Sequence, residues 1–83
     1  MKLELYYYDQ CPFCQRVLQK INQLDLKDKV DFKNTLESPS NGALHQQTTG
    51  RATVPCLYID NKPMFESGEI ITWLEKNQSS IKG

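Results

Sequence analysis

Leu3, Leu5 and Tyr7 alternate with Glu4, Tyr6 and Tyr8, a period of two that predicts a β-strand. Tyr6 and Tyr8 are themselves large, so both faces of this strand should be covered, as in a central strand with helices nearby. Beyond Pro12 the period changes. Cys14, Val17, Leu18, Ile21 and Leu24 recur at spacings of three and four, one apolar stripe of a helix over residues 12 to about 24. Pro12 suits its first turn, where a missing N–H costs nothing and φ is already set. Val30 and Phe32, flanked by Asp31 and Lys33, predict a short second strand. Ser38-Pro39-Ser40-Asn41-Gly42 is turn chemistry, and residues 43–48 then fit a short helix with a poor apolar face, stopped by Gly50.

Leu57 and Ile59 alternate with Cys56 and Tyr58 as a third strand. Asp60-Asn61-Lys62-Pro63 reads as a tight turn, and residues 64–66 return as a short fourth strand to complete a hairpin. Ser67 is an N-cap for a last helix carrying Ile70, Ile71 and Leu74, and residues 78–83 read as a frayed polar tail. The order β-α-β-α-β-β-α requires a right-handed parallel crossover followed by an antiparallel hairpin. The expected fold is therefore α/β, a four-stranded mixed sheet flanked by three helices lying on both faces, with no internal repeat.

Composition narrows the function classes. The 83 residues make one small domain, 1–83, with no room for a second. Ten Lys and Arg balance ten Asp and Glu, without the basic excess or basic run that phosphate neutralisation by a nucleic-acid binder needs. The longest apolar run near the start, Leu5 to Tyr8, is far short of a signal-peptide core or the roughly 20 residues of a membrane span. A cytoplasmic protein, monomeric and without nucleic-acid or membrane partners, is expected.

Three cysteines in such a chain do not make a disulfide scaffold, which uses more of them in an oxidising compartment. Two stand as Cys11-Pro12-Phe13-Cys14. One Cys-x-x-Cys cannot close a tetrahedral zinc site, which takes about four ligands, and nothing in the spacing pairs it with His45 or Cys56; no metal is expected. Redox chemistry leads. Cys11 falls just before or at the first helical position, where unpaired N–H groups and the positive end of the helix dipole favour an anion and shift a cysteine toward its thiolate, the attacking species in disulfide exchange. Asp9 opposes this charge and Arg16 supports it. Cys14 sits one turn deeper, on the buried stripe with Leu18 and Ile21. The expectation is an exposed, anionic nucleophile at Cys11 and a shielded resolving thiol at Cys14; a surface thiol beside a core thiol is the bland alternative. Cys56 reads as a small buried hydrophobe or, less simply, a regulatory or glutathionylated thiol. His45 reads as a surface residue, and Trp73 and Phe65 as core or edge packing.

These residues resemble the glutaredoxin family. The resemblance rests on Cys11-Pro12-Phe13-Cys14 after the first strand, Thr49-Gly50, Thr53-Val54-Pro55 opening the third strand, and Glu66-Ser67-Gly68-Glu69 opening the last helix. It covers essentially the whole chain in the expected order. Glu66-Ser67 and Val54-Pro55-Cys56-Leu57 are also similar to the amino-terminal domain of glutathione transferases, which shares the thioredoxin-like fold. The resemblance implies a glutathione-dependent reductant of protein disulfides and of glutathionylated proteins, with glutathione as co-substrate. It implies a glutathione site at Cys11, Phe13, Thr53, Val54, Pro55, Glu66 and Ser67. In the family the proline matching Pro55 is cis and faces the nucleophile, which would turn the Val54 backbone outward to pair with glutathione like an added strand. Ser67 and its neighbouring N–H groups would take the γ-glutamyl carboxylate, a role open beside that of an ordinary cap. Glu69 would accept from the γ-glutamyl ammonium or simply complement the helix dipole.

Two features depart from the family pattern. The lysine that many glutaredoxins carry three residues before the nucleophile is Tyr8 here, with Arg51 either a substitute cation for the glycine carboxylate or a solvated charge. The usual paired glycine and acids before the last helix are Glu66-Ser67-Gly68-Glu69. Other readings are an iron–sulfur carrier held by Cys11 and glutathione between two subunits, against which Pro12 stands where cluster-holding members have glycine, and a thioredoxin-like protein reduced by a flavoenzyme. A working transferase is not expected, because its second, helical domain does not fit in this length.

Overall fold

Strand β1 (Leu3–Tyr7) leads into helix α1 (Pro12–Gln23), a 3₁₀ turn at Lys27–Lys29, β2 (Val30–Asn34), α2 (Pro39–Thr49), β3 (Cys56–Ile59), β4 (Lys62–Met64) and α3 (Ser67–Lys82) in the computed structural model, which describes residues 1–83. The strands form one sheet in the order β2-β1-β3-β4. β1 runs parallel to β2, with Leu5 opposite Phe32, and antiparallel to β3, with Leu5 opposite Leu57. β3 turns back on β4. This is the four-stranded mixed sheet with three helices of the thioredoxin-like fold.

Alternation sorts the side chains of the central strands to two different faces. Leu3, Leu5 and Leu57 join Val17 and Ile21 of α1, Leu26, Val30, and Ile70, Leu74 and Ile81 of α3 in the main core. Burial of each such side chain contributes about 1.5–3 kcal/mol. α1 and α3 lie side by side, with the Lys20 ammonium 3.0 Å from the Glu75 carboxylate. On the other face Tyr6, Cys56 and Tyr58 form a smaller cluster with Val54 and Phe65, covered by His45, the one buried residue of α2. No helix is long and apolar enough to cross a membrane.

Boundaries of three elements differ from the sequence expectation. α2 starts at Pro39, not at residue 43: Ser38 is extended and Pro39 takes the first helical position, so residues expected to form a turn instead open the helix. Gly50 does stop it, in the left-handed region at φ 76° with its N–H 2.7 Å from the Gln46 carbonyl oxygen. β4 covers Lys62–Met64 and not residues 64–66, because Asp60 and Asn61 alone make the turn, at φ 49° and 72°, the pattern of a two-residue hairpin loop. Pro63 then pairs with Tyr58 on the edge of the sheet, where its missing N–H is tolerated. In α3, Glu66 occupies the N-cap position and Ser67 is the first helical residue, without a side-chain capping bond. The expected frayed tail is helical through Lys82, because Ile81 repeats the stripe of Ile70 and Leu74 and is buried.

Candidate functional site

The end of β1 delivers the chain through a tight turn to the start of α1, where the Cys11 N–H donates to the Tyr8 carbonyl oxygen at 3.3 Å. Cys11 is the N-cap of α1, with φ −84° and ψ 116°, and Pro12 follows in the first turn. Its Sγ accepts the backbone N–H of Cys14 at 3.3 Å, so a peptide donor at the helix N-terminus faces this sulfur. The expected exposure is corrected: Cys11 is only 5% exposed. Capping folds Sγ back over the first turn, and the side chains that face outward there are Pro12 and Phe13. Asp9 is engaged elsewhere, its carboxylate 3.4 Å from the Asn34 amide and its carbonyl oxygen 2.7 Å from Nε2 of Gln15. Arg16 is exposed.

Cys14 lies fully buried on the inner stripe of α1. Burial first, and then its contact with the Cys11 sulfur, push the Cys14 thiol up to about 12. The two thiols are free and chemically unequal: one sulfur accepts from a helix terminus, the other is held protonated by its surroundings.

Phe13, Thr53, Val54, Pro55, Glu66 and Ser67 together wall a groove of about 190 Å³. The fold thus brings six of the seven residues singled out for glutathione to one place, from the start of α1, the segment before β3 and the start of α3. Cys11 is not among the wall residues and adjoins them through Phe13, two positions on. The Val54–Pro55 peptide is cis. Glu69 does not join the groove; it walls a separate depression with Met64 and Trp73. The Arg51 guanidinium stands 4.0 Å from the centroid of the Phe65 ring, on an aromatic face, and the residue is exposed. Trp73 and Phe65 pack against the main core and the smaller cluster respectively.

Cys56 is fully buried, and burial pushes its thiol up to about 12, as suits a small core residue. His45 is not on the surface, as its polar helix suggested, but 1% exposed. Its Nδ1 is 2.7 Å from the Tyr58 hydroxyl and its Nε2 2.8 Å from the Thr53 carbonyl oxygen, and its ring stacks on Tyr6 with centroids 5.1 Å apart. The signal lay in the strands. Tyr6 and Tyr58 share the face opposite the leucines, and a buried tyrosine hydroxyl needs a partner; His45 is the one ring that α2 can offer.

Residues 5–80 match the family described as Glutathione S-transferase, N-terminal domain. Glutaredoxin-1 of Sus scrofa is 28% identical, over 90% of this chain and 83% of its own length. Among solved structures, the trimeric glutathione transferase TDR1 of Leishmania is 29% identical with a TM-score of 0.73, over 92% of this chain and 17% of its own. An epsilon-class glutathione S-transferase of the housefly, Musca domestica, is 23% identical with a TM-score of 0.76, over 93% of this chain and 35% of its own. Glutaredoxin of Brucella melitensis, 19% identical, has a TM-score of 0.66 over 98% of this chain and 87% of its own. The chain therefore spans about a third or less of those two transferases and most of each glutaredoxin. The likeness to the housefly and Brucella proteins is one of fold.

Proposed function

Because the chain belongs to the family of glutathione S-transferase N-terminal domains, and because that scaffold here carries two unequal thiols, we propose that it is a glutathione-dependent thiol–disulfide oxidoreductase acting on protein disulfides and glutathionylated proteins. The observation that carries this reading is the pairing of Cys11, whose Sγ accepts a helix-terminal N–H at 3.3 Å, with the buried, protonated Cys14. Similarity to glutaredoxin across most of both chains supports it, as does the groove next to Phe13.

In the proposed cycle, the Cys11 thiolate attacks the glutathione sulfur of a protein–glutathione disulfide. The S–S bond breaks, the protein leaves as a thiolate that takes up a proton, and a Cys11–glutathione disulfide forms. The groove holds the glutathionyl part by the Thr53-Val54-Pro55 backbone on one side and the start of α3, at Glu66 and Ser67, on the other. A second glutathione thiolate attacks the bound glutathione sulfur, releasing oxidised glutathione and restoring the Cys11 thiolate. With a protein disulfide, Cys11 forms a mixed disulfide with one protein sulfur. Cys14 loses its proton to the departing side and attacks Cys11, freeing the protein dithiol, and two glutathiones then reduce the Cys11–Cys14 disulfide. The reaction belongs in a cytoplasmic, glutathione-rich setting and needs no metal and no second subunit.

The test is a turnover assay with glutathione, glutathione reductase and a glutathionylated peptide. Wild type should turn over and saturate with glutathione. Cys11→Ser should fall to background, while Cys14→Ser keeps its rate on the peptide within about threefold and loses reduction of protein disulfides. Equal loss on the peptide in both variants would refute the division of labour between the sulfurs.

A further inference from the structure

α2 has one buried side chain, His45, which reaches one wall of the groove at Thr53 and, on its other side, Phe65, the chain neighbour of the wall residue Glu66. Toward one wall, Nε2 lies 2.8 Å from the carbonyl oxygen of Thr53. A carbonyl only accepts, so Nε2 carries the proton and donates. Nδ1 lies 2.7 Å from the Tyr58 hydroxyl, and burial pushes Tyr58 up to about 12, which keeps the proton on that hydroxyl. The ring thus ties the Tyr58 hydroxyl on β3 to the Thr53 carbonyl oxygen in the segment before Pro55. Toward the other wall, the His45 ring lies 5.9 Å from the ring of Phe65, centroid to centroid. Phe65 immediately precedes Glu66 and Ser67, and the Arg51 guanidinium lies over its ring. The stack Tyr6, His45, Phe65, Arg51 thus runs from β1 to the edge of the groove.

The helix also holds the same segment at a second point. Thr49 Oγ1 lies 3.0 Å from the His45 carbonyl oxygen and 2.9 Å from that of Arg51, and the Arg51 N–H is 3.1 Å from the same hydroxyl. Residues 50–53 are therefore fastened to α2 at both ends of the loop.

From this placement we propose that His45 is a positioning residue for glutathione: it sets the Thr53-Val54-Pro55 backbone and, through Phe65, the Glu66-Ser67 wall at the separation that accepts the tripeptide. It acts on binding and not on sulfur chemistry, since it touches neither Cys11 nor Cys14. The proposal rests on the reading of the groove as a glutathione site, and its test separates the two.

Kinetics are measured on wild type, His45→Leu, His45→Gln and Tyr58→Phe in the same assay, with the alkylation rate of Cys11 and the Tm of each. His45→Leu should raise KM for glutathione about tenfold while kcat and Cys11 alkylation stay within about twofold. His45→Gln, which keeps an N–H to donate to Thr53, should recover most of the lost KM. Tyr58→Phe should raise KM less, in the same direction, and covers the case in which His45→Leu does not fold. Nitrogen-15 NMR of the wild-type ring at pH 8 should show a proton on Nε2. A KM unchanged in both His45→Leu and Tyr58→Phe, an equal KM rise in His45→Gln, or an unprotonated Nε2 overturns the proposal while leaving the groove as the glutathione site. A wild type with no saturation by glutathione overturns the reading of the groove itself, and the positioning role with it.

Discussion

Cys11 and Cys14 are one helical turn apart, yet their surroundings ask opposite things of a sulfur. Cys11 caps the helix and takes an N–H at 3.3 Å; Cys14 is enclosed, with its thiol pushed up to about 12. Cys56 is pushed up as far, by burial alone in the main. At pH 7 a thiol at about 12 is ionised in roughly one molecule in 10⁵, and only the thiolate reacts. Iodoacetamide at pH 7 should therefore modify Cys11 first, with peptide mapping showing Cys14 and Cys56 unlabelled until the protein is unfolded. Labelling of Cys56 at a rate like that of Cys11 would contradict this ordering. The motif made Cys11 and Cys14 visible in the sequence because a strand-to-helix junction is itself readable from period. The burial of Cys11 was not, since which way an N-cap side chain turns depends on the donor it finds. His45 was hidden for a related reason: its partners, Tyr58 and Thr53, lie on other elements, and its own helix carries no apolar stripe.

Among the elements, α1 and α2 mark the two ends of legibility. Val17, Leu18 and Ile21 announce α1 because it packs by hydrocarbon, and its start at Pro12 and its end near Leu24 follow from local chemistry. α2 packs through one imidazole, so hydrophobic period carries almost no trace of it and Ser38-Pro39 reads as a turn. The hairpin and the end of α3 sat between these cases: Asp60 and Asn61 took positive φ, which shortened the turn, and Ile81 lay beyond a run of polar residues. What α2 lacks in apolar anchorage it gains at its C-terminus. Gly50 has φ 76°, and a Cβ there would meet nothing within 4 Å, so Gly50→Ala tests backbone conformation without a clash. The left-handed penalty of about 1–2 kcal/mol should lower Tm by several degrees, on the order of 4–8 °C per kcal/mol for a domain of this size. A thermal melt indistinguishable from wild type would show that the loop relaxes out of this conformation.

At the scale of the molecule, the alternation of strand and helix prescribed the topology, because a parallel pair needs a crossover and a final hairpin needs none. The sheet order β2-β1-β3-β4 follows once β1, with large residues on both faces, is placed inside. The burial that makes this fold also sets its response to alkali. Cys14 and Cys56 rise from 9.0, and Tyr58 from 10.0, each to about 12. Below about pH 9 both folded and unfolded chains keep these protons. Above it the unfolded chain releases them first, so stability present at neutral pH is lost as pH climbs through the interval from about 9 to 12, by up to about 1.4 kcal/mol per pH unit for each group. Urea titrations at pH 8 and 10.5 should show this fall, and Cys56→Ala should make it shallower; a midpoint independent of pH would refute the linkage. The same two-sided sheet governs how the protein tolerates change. Leu3, Leu5 and Leu57 can be exchanged for other hydrocarbons of similar volume with modest harm, and any damage is felt as less folded protein. Tyr6 and Tyr58 answer to stricter demands, a flat ring for His45 to lie on and a hydroxyl within bonding distance of its Nδ1. Inherited variation is thus filtered twice in one small molecule, by foldedness on the leucine side and, under the role proposed for His45, by grip on glutathione on the tyrosine side.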